Sequence, residues 1–380
     1  MKRFVLFFLL LCTTLIAEEK PVTVRVLLTK LADKAHIEVK GRHLLYNPKT
    51  EAFLSSSNKK KKAPITAHDK GLYWDEILSD IYALRIVPDE KNCSILVNGI
   101  QYKGWIEIYN IGGTINIINE VDVENYLKAK LSSQVTQKLS KETLDAIMIT
   151  ERTHLYHIIE KGAYATWQLE AEKEGYLGIA QSRSVNDAIE RTRDIILHYR
   201  KKSFAASWGL DHGGRSVSFP AIFRIESAAP PGVDNLPSLH ERAKSKWKTT
   251  IPLQALEQIA GQETLTNIEP FRAEKSHKVY ALRFIGPEGI KDIDIQALQT
   301  SLGSHEIPSN DFTVTIKGKK AHFIGYGKGL GTGLCIASAE ILAHRNASVE
   351  KILLTHFPEA KLINMRQETG KRPSNSIVWQ

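Results

Sequence analysis

The strongest constraint on the fold is a change in hydrophobic periodicity near Asn119. Before this residue, apolar and polar side chains alternate, as in 22–26 and 105–109, and a period of two is typical of half-buried strands. After it, apolar residues recur every three or four positions, which indicates helices. We therefore predict an α+β protein, with a β-rich N-terminal lobe over residues 18–118 and a helix-containing core lobe over residues 119–365.

Local turn signals subdivide the β-rich lobe. The dipeptides Asn98-Gly99 and Gly112-Gly113 lie between alternating runs and favour tight hairpin turns. Residues 55–70 are polar, contain a proline and include the four lysines of Lys59–Lys62, so we predict an exposed loop there. Such a run of lysines can attract an anionic lipid or polymer, although it is more often simply solvated.

Capping residues mark the helices of the core lobe. Asp122 opens the first helix, and Ser140 can cap a second one whose apolar positions share a face. Ser184 is the predicted cap of a third helix over Val185–Arg193. The remaining predicted elements are strands at 195–199, 204–208, 312–316 and 321–324, and helices at 334–344 and 349–357.

The N-terminus predicts export. Lys2 and Arg3 precede the apolar run 4–11, and Ala17 precedes two glutamates, a pattern typical of a secretory signal peptide over residues 1–17. The apolar run is shorter than the ~20 residues of a spanning helix, and an uncleaved anchor is the alternative. We expect a periplasmic or cell-envelope protein, with residues 366–380 as a C-terminal tail.

Composition excludes several classes of protein. Of the 380 residues, 42% are apolar and 24% charged, which argues against a disordered chain and against a multi-span membrane protein. Three cysteines are too few for a disulfide-built scaffold or a cysteine zinc finger. Cys93 and Cys335 remain after removal of the signal peptide, and the sequence leaves open whether they pair. The formal charge of +9 permits contact with an anionic surface, but we expect no nucleic-acid partner for an exported chain.

A glycine-rich run near the C-terminus has two interpretations. Residues 325–333 carry glycine at every second position, but the spacing fits neither dinucleotide-binding nor P-loop motifs. The glycines could present backbone amides to a partner. Alternatively, they form a loop packed beneath another element.

The second predicted helix carries the one unusual polar constellation. Glu151, His154, His157 and Glu160 recur every three residues, but a di-iron site requires a second such motif, and none is present. We expect no metal and no cofactor. Glu151 also lies on the apolar stripe, where a raised pKa would make it a proton donor. The alternative is an ion pair with Arg152 or a neighbouring lysine.

The order of motifs resembles one known family, the stage II sporulation protein D and amidase-enhancer family. The resemblance runs in consistent order over roughly residues 20–365. It rests on 119–128, 144–146, 152–153, 188–197, 213–216, Trp247, 325–331, 349–353 and 357–358. It implies a role on bacterial peptidoglycan. Sporulation members resemble lytic transglycosylases that cut glycan strands stripped of peptide, and other members enhance a partner N-acetylmuramoyl-alanine amidase.

The family pattern also implies site residues. Its catalytic glutamate aligns here with Gln134, and an amide cannot transfer a proton. Zinc-binding His and Cys residues of some members have no counterparts around 167–178. We therefore expect a protein that engages glycan strands with weak activity, activity relocated to Glu151, or none; a non-catalytic module that recruits or enhances an amidase is the alternative. The resemblance assigns substrate contacts to Arg152, Gly325, Gly327, Lys328, Gly329 and Gly331.

Overall fold

The computed structural model describes residues 22–90 and 92–366. The predicted signal peptide lies outside these residues, as does the predicted C-terminal tail apart from Arg366. Of the described residues, 28% are helical and 39% are in strands, and the N-terminal region is strand-rich, which confirms the predicted α+β class. Within the described residues, no helix is both long and apolar enough to span a membrane.

The strands and helices are as follows. The strands are β1 (Thr23–Ala32), β2 (Lys34–Lys40), β3 (His43–Tyr46), β4 (Phe53–Ser57), β5 (Lys61–His68), β6 (Gly71–Trp74), β7 (Glu76–Ser79), β8 (Ala83–Pro88), β9 (Ser94–Val97), β10 (Ile100–Tyr102), β11 (Trp105–Ile111), β12 (Thr114–Asp122), β13 (Leu169–Glu170), β14 (Ile195–His198), β15 (Trp208–Gly209), β16 (Lys246–Pro252), β17 (Asn267–Arg272), β18 (Val279–Gly286), β19 (Gly289–Asp294), β20 (Phe312–Lys317), β21 (Lys320–Tyr326), β22 (Leu334–Cys335) and β23 (Lys361–Asn364). The helices are α1 (Val123–Gln134), α2 (Lys141–Lys161), α3 (Ala171–Glu174), α4 (Arg183–Arg191), α5 (Phe219–Phe223), α6 (Leu236–His240), α7 (Leu253–Ala260), α8 (Ile295–Leu302), α9 (Ile336–His344) and α10 (Val349–His356).

Two sheets build the N-terminal lobe. A seven-stranded sheet has the order β13-β1-β12-β11-β8-β3-β4, and a six-stranded sheet has the order β10-β9-β2-β5-β6-β7. Alternate residues of both sheets enter one hydrophobic cluster, among them Val24, Ile37, Ile65, Ile86, Ile108 and Ile117. This cluster continues into α1, α2 and α4, so the sheets and the first helices share a core. A second apolar cluster lies within residues 217–323.

The hairpin turns at Asn98-Gly99 and Gly112-Gly113 are confirmed, but the loop predicted at residues 55–70 is wrong. Most of this segment belongs to β4 and β5. Ala63 and Ile65 of β5 are 3% and 0% exposed, because they point into the core while the intervening side chains face outward. The polar composition and the proline concealed this period of two.

Local capping explains the start of both long helices. Asp122 ends β12, and its Oδ1 accepts hydrogen bonds from the amides of Glu124 at 3.0 Å and Asn125 at 3.2 Å. Ser140 Oγ accepts from the Thr143 amide at 3.3 Å. Each cap satisfies amides that lack a partner within the first turn. Both predicted starts are confirmed.

Two later assignments need correction. Helix α4 begins at Arg183 after Ser182, not at Val185, because Ser184 already lies inside the first turn. The predicted strand 204–208 is reduced to β15, which pairs with β22. Residues 204–206 are buried in the core without strand pairing, which accounts for the apolar pattern that suggested a strand.

His356 makes the stability of the fold pH-dependent. This residue of α10 is 2% exposed, and burial lowers its pKa to about 4. Since the unfolded chain binds that proton near pH 6.5 and the folded chain does not, stability falls as the pH drops from 6.5 towards 4. The expected loss is roughly 3 kcal/mol for this group.

Urea denaturation at several pH values checks this expectation. His356→Gln should flatten the pH dependence between 6.5 and 4 relative to the unmodified chain. His344→Gln, at an exposed position of α9, is the matched control and should leave the slope unchanged. An unaltered slope for His356→Gln would contradict the assignment.

Candidate functional site

Gln134 lies where α1 ends, at the surface of the core lobe. Its side chain is exposed, and its Nε2 donates a hydrogen bond to the backbone carbonyl oxygen of Glu174 at 3.2 Å. Gly175 follows with a φ of +63°, a left-handed conformation that glycine adopts at little cost. The turn after α3 therefore holds the amide of Gln134 while leaving it accessible to solvent.

A charged cluster lies one helical turn before Gln134; we call Lys130, Glu151, Glu174 and Trp208 the Lys130 cluster. Lys130 Nζ lies 2.5 Å from Glu151 Oε1 and 2.6 Å from Glu174 Oε2. Trp208 Nε1 donates to Glu151 Oε2 at 3.0 Å. The Lys130 and Glu151 side chains are 10% and 9% exposed, and that of Glu174 is 24% exposed. The cluster is thus closed at Glu151 and open towards solvent at Glu174.

The electrostatics of the cluster argue against Glu151 as a proton donor. Burial alone would raise the pKa of Glu151, but the charges of Lys130 and His154 and the hydrogen bonds from Lys130 and Trp208 together outweigh it, so the pKa lies below its ordinary value. Burial would likewise lower the pKa of Lys130, yet Glu151 and Glu174 raise it. The raised pKa considered for Glu151 is therefore wrong. The ion-pair alternative is confirmed, with Lys130 as the partner.

Arg152 lies inside the protein and holds helices together, and the prediction that it contacts substrate is wrong. Its side chain is fully buried, and its Nε and Nη2 donate to the two carboxylate oxygens of Glu124 at 2.8 Å each. Nη1 donates to the backbone carbonyl oxygen of Thr192 at 2.8 Å. The guanidinium joins α1, α2 and the end of α4, and it presents no donor to the surface.

The glycine-rich run is a packed loop, so the interpretation as a display of free amides is wrong for its first part. The amide of Gly327 donates to Ser245 O at 3.0 Å, that of Lys328 to Asp211 O at 2.7 Å and that of Gly329 to Pro308 O at 2.8 Å.

The glycines of this run allow close packing. A Cβ on Gly325 would lie 2.2 Å from the ring of Trp247, and one on Gly331 would lie 2.8 Å from Lys278 Cε. Gly327 is buried as well, whereas Lys328 is exposed. Of the predicted contacts on this loop, the side chain of Lys328 and the open space at Gly329 are available to a partner.

The histidines and cysteines do not converge. His154 packs against the ring of Phe219, whereas Glu160 accepts a hydrogen bond from Ser203. In the described part of the chain, no three His, Cys, Asp or Glu side chains are grouped to hold a metal ion. Cys93 and Cys335 are both free thiols, so they do not form the disulfide that the sequence left open.

A cleft of about 210 Å³ lies along α1. One wall is α1, and the other is the segment 176–181, which directly follows the turn that holds Gln134. Asparagine, glutamine and lysine residues make up half of the lining, which comprises Lys103, Asn125, Lys128, Ala129, Tyr176, Gly178, Ile179, Ala180, Gln181 and Asn186. Such side chains bind hydroxyl, amide and carboxylate groups.

Tyr176 fixes the wall opposite α1. Its hydroxyl donates to Asn119 Oδ1 at 2.8 Å, and its ring lies 5.0 Å from the ring of Tyr126. Gly178 has a φ of +73°, and a Cβ there would lie 2.4 Å from Gln101 O. No local sequence pattern reveals this cleft, because four separate segments form it.

Comparison with known proteins places the site within a family segment. Residues 111–199 match the profile of the family described as Stage II sporulation protein, which confirms the resemblance over this segment. This range contains α1, α2, the Lys130 cluster apart from Trp208, and all the cleft residues apart from Lys103.

Three relatives are uncharacterized proteins. Those of Chlamydia pneumoniae and Chlamydia muridarum are each 32% identical over 179 residues, or 46% of this chain. The matched part of the chain spans 65% and 62% of their respective lengths. A protein of Brachyspira hyodysenteriae is 24% identical over 355 residues, which cover 90% of this chain and 93% of the relative.

Proposed function

Since residues 111–199 form a segment of the Stage II sporulation protein family, we propose that this is an exported envelope protein that binds peptidoglycan glycan strands. The strand lies in the cleft beside α1. Gln134 occupies the position of the family's acid, so the protein binds the glycan without the proton transfer that cleavage needs.

The observation that carries this proposal is that the exposed Gln134 is hydrogen-bonded to the chain segment that leads into one wall of the cleft. The segment that contacts Gln134 through the Glu174 carbonyl continues into the wall formed by residues 176–181. A strand seated along α1 would thus pass close to the end of the helix. Because an amide has no proton to transfer at any pH, the strand would be held and not cut.

The lining of the cleft matches the chemistry of a peptide-free glycan. The sugars carry hydroxyl and acetamido groups that pair with amide side chains, and each muramic acid without its peptide carries a free carboxylate. Lys103 is exposed, and Lys128 Nζ lies 2.6 Å from Glu190 with 26% of its side chain exposed. Charge-assisted hydrogen bonds from these lysines would favour carboxylated sugars.

Nearby carboxylates do not replace the missing acid. Glu151 is enclosed, and Lys130 keeps it ionised. Glu174 is tied to the same ammonium group. These contacts favour a binding function over an activity relocated to Glu151.

Cosedimentation with purified sacculi and with peptide-stripped strands tests the proposal. The double variant Lys103→Gln/Lys128→Gln should bind at least about tenfold more weakly, since hydrogen bonds to charged groups contribute about 1.5–3 kcal/mol each. Lys173→Gln/Lys244→Gln, at positions whose side chains are 72% and 76% exposed, should bind like the unmodified protein. Absence of binding by the unmodified protein, or equal binding by all three, would contradict the proposal.

The second candidate function is recruitment of an N-acetylmuramoyl-alanine amidase. It is favoured by one observation, the exposed Lys328 on an otherwise packed loop. Stimulation of a purified amidase that is lost in Lys328→Glu, without binding to glycan strands, would support this function over the first.

A further inference from the structure

The outward face of the six-stranded sheet carries a basic cluster around one carboxylate. On β2 and β5, Glu38 lies opposite Lys62 in the antiparallel register. The Nζ atoms of Lys40, Lys60 and Lys62 lie 3.4, 3.2 and 3.5 Å from the Glu38 carboxylate. Their side chains are 47%, 62% and 66% exposed. One negative charge therefore gathers three positive charges that remain open to solvent.

Two large apolar side chains lie on the same face. Tyr73 of β6 is opposite Thr66 of β5 and Ile77 of β7. Thr66 and Lys62 are four residues apart on one strand, so they point to the same side of the sheet. Tyr73 and Ile77 are 38% and 45% exposed, and this places a tyrosine and an isoleucine beside the basic cluster.

Lys61 points to the opposite side of the sheet from the lysines of the outward face. It alternates with Lys62 along β5, and its Nζ lies 4.1 Å from the centroid of the Trp74 ring. Trp74 is 1% exposed, so Lys61 covers the edge of the core. The run predicted as a solvated loop thus divides between a core-covering lysine and lysines on the outward face.

We infer that this face, formed by Lys40, Lys60, Lys62, Tyr73 and Ile77, docks on an anionic lipid surface. Lysines near such a surface gain about 1 kcal/mol each, and tyrosine and isoleucine gain by entering the boundary between headgroups and acyl chains. The exposed apolar pair favours a lipid surface over a soluble polyanion, which would leave Tyr73 and Ile77 in water. This contact is independent of glycan binding, because no residue of the face lines the cleft.

Vesicle cosedimentation of the purified protein tests this inference. Phosphatidylglycerol-rich vesicles should bind it, and pure phosphatidylcholine vesicles should bind it far more weakly. Lys60→Gln/Lys62→Gln should lower partitioning to the anionic vesicles by about 30-fold, from the loss of two lysines at about 1 kcal/mol each. The control Lys173→Gln/Lys244→Gln should partition like the unmodified protein. Binding should weaken steeply as salt is raised.

A second variant separates lipid docking from simple charge attraction. Tyr73→Ser/Ile77→Ser should lower the binding to anionic vesicles while leaving the binding of soluble polyphosphate unchanged. Both variants should retain the thermal midpoint and the sacculus binding of the unmodified protein, because all four side chains are exposed. Equal partitioning of the Lys60/Lys62 variant and the unmodified protein would overturn the inference. Polyphosphate binding as tight as vesicle binding, with no effect of the Tyr73/Ile77 variant, would overturn it in favour of a soluble polyanion.

Discussion

The Gln134→Glu variant is expected to cut peptide-stripped glycan strands at least about 10²-fold faster than the unmodified chain, because general acid catalysis contributes typically ~10²–10⁴-fold. The Gln134 side chain already lies at the surface, with Nε2 3.2 Å from the Glu174 carbonyl oxygen. A protonated carboxyl group there would donate to the same oxygen, whereas an ionised one would face a repulsive acceptor. The carbonyl should therefore raise the pKa of the new carboxyl group and keep it available as an acid.

Mass spectrometry of the digestion products measures this gain. Anhydro-sugar ends should accumulate with Gln134→Glu and not with the unmodified protein. Gln134→Asp is the matched control, since its shorter side chain carries the acid without reaching the same position. Equal inactivity of the Glu variant, despite retained strand binding, would show that the site lacks more than its acid.

Lys130→Met is expected to destabilise the fold by about 3–5 kcal/mol, the range typical of removing one partner from a buried ion pair. The substitution would leave the Glu151 carboxylate, whose side chain is 9% exposed, without its cationic partner. Trp208 would be its remaining described hydrogen-bond donor. Glu174 would lose the same ammonium but can turn towards water. Most of the cost therefore arises at Glu151.

Chemical denaturation of three variants checks the assignment. Lys128 lies on the same helix as Lys130 and pairs with Glu190 of α4. Lys128→Met removes this partly exposed ion pair and should cost about 0–1 kcal/mol. Lys130→Met/Glu151→Gln should recover part of the lost stability, because it removes the unpaired buried charge of Glu151. A cost below about 1 kcal/mol for Lys130→Met, or no recovery in the double variant, would argue against a buried charged cluster.

The fold was predictable where local chemistry decides it. The switch of periodicity at Asn119 and the caps Asp122 and Ser140 depend on residues within a few positions of each other, and the structure bears them out. The prediction of a loop at residues 55–70 failed because the charge and proline content of the segment concealed the two inward-facing positions, Ala63 and Ile65. In that strand the tertiary packing decides, and the local composition points the other way.

The candidate site was predictable only in part. The resemblance identified Gln134, but the Lys130 cluster joins residues 21 and 44 positions apart, and no local pattern links them. Arg152 was recognised as a motif residue, yet a motif does not distinguish an internal guanidinium from one that meets a ligand. The burial of its side chain and its pairing with Glu124 make that distinction.

Titration calorimetry of peptide-stripped glycan strands into the unmodified protein, with the strands recovered and analysed by mass spectrometry, tests the central claim most directly. We expect saturable binding and strands recovered at their original length, without anhydro-sugar ends. Cleaved strands would contradict the role assigned to Gln134, and the absence of binding heat at any strand concentration would contradict the assignment of the cleft.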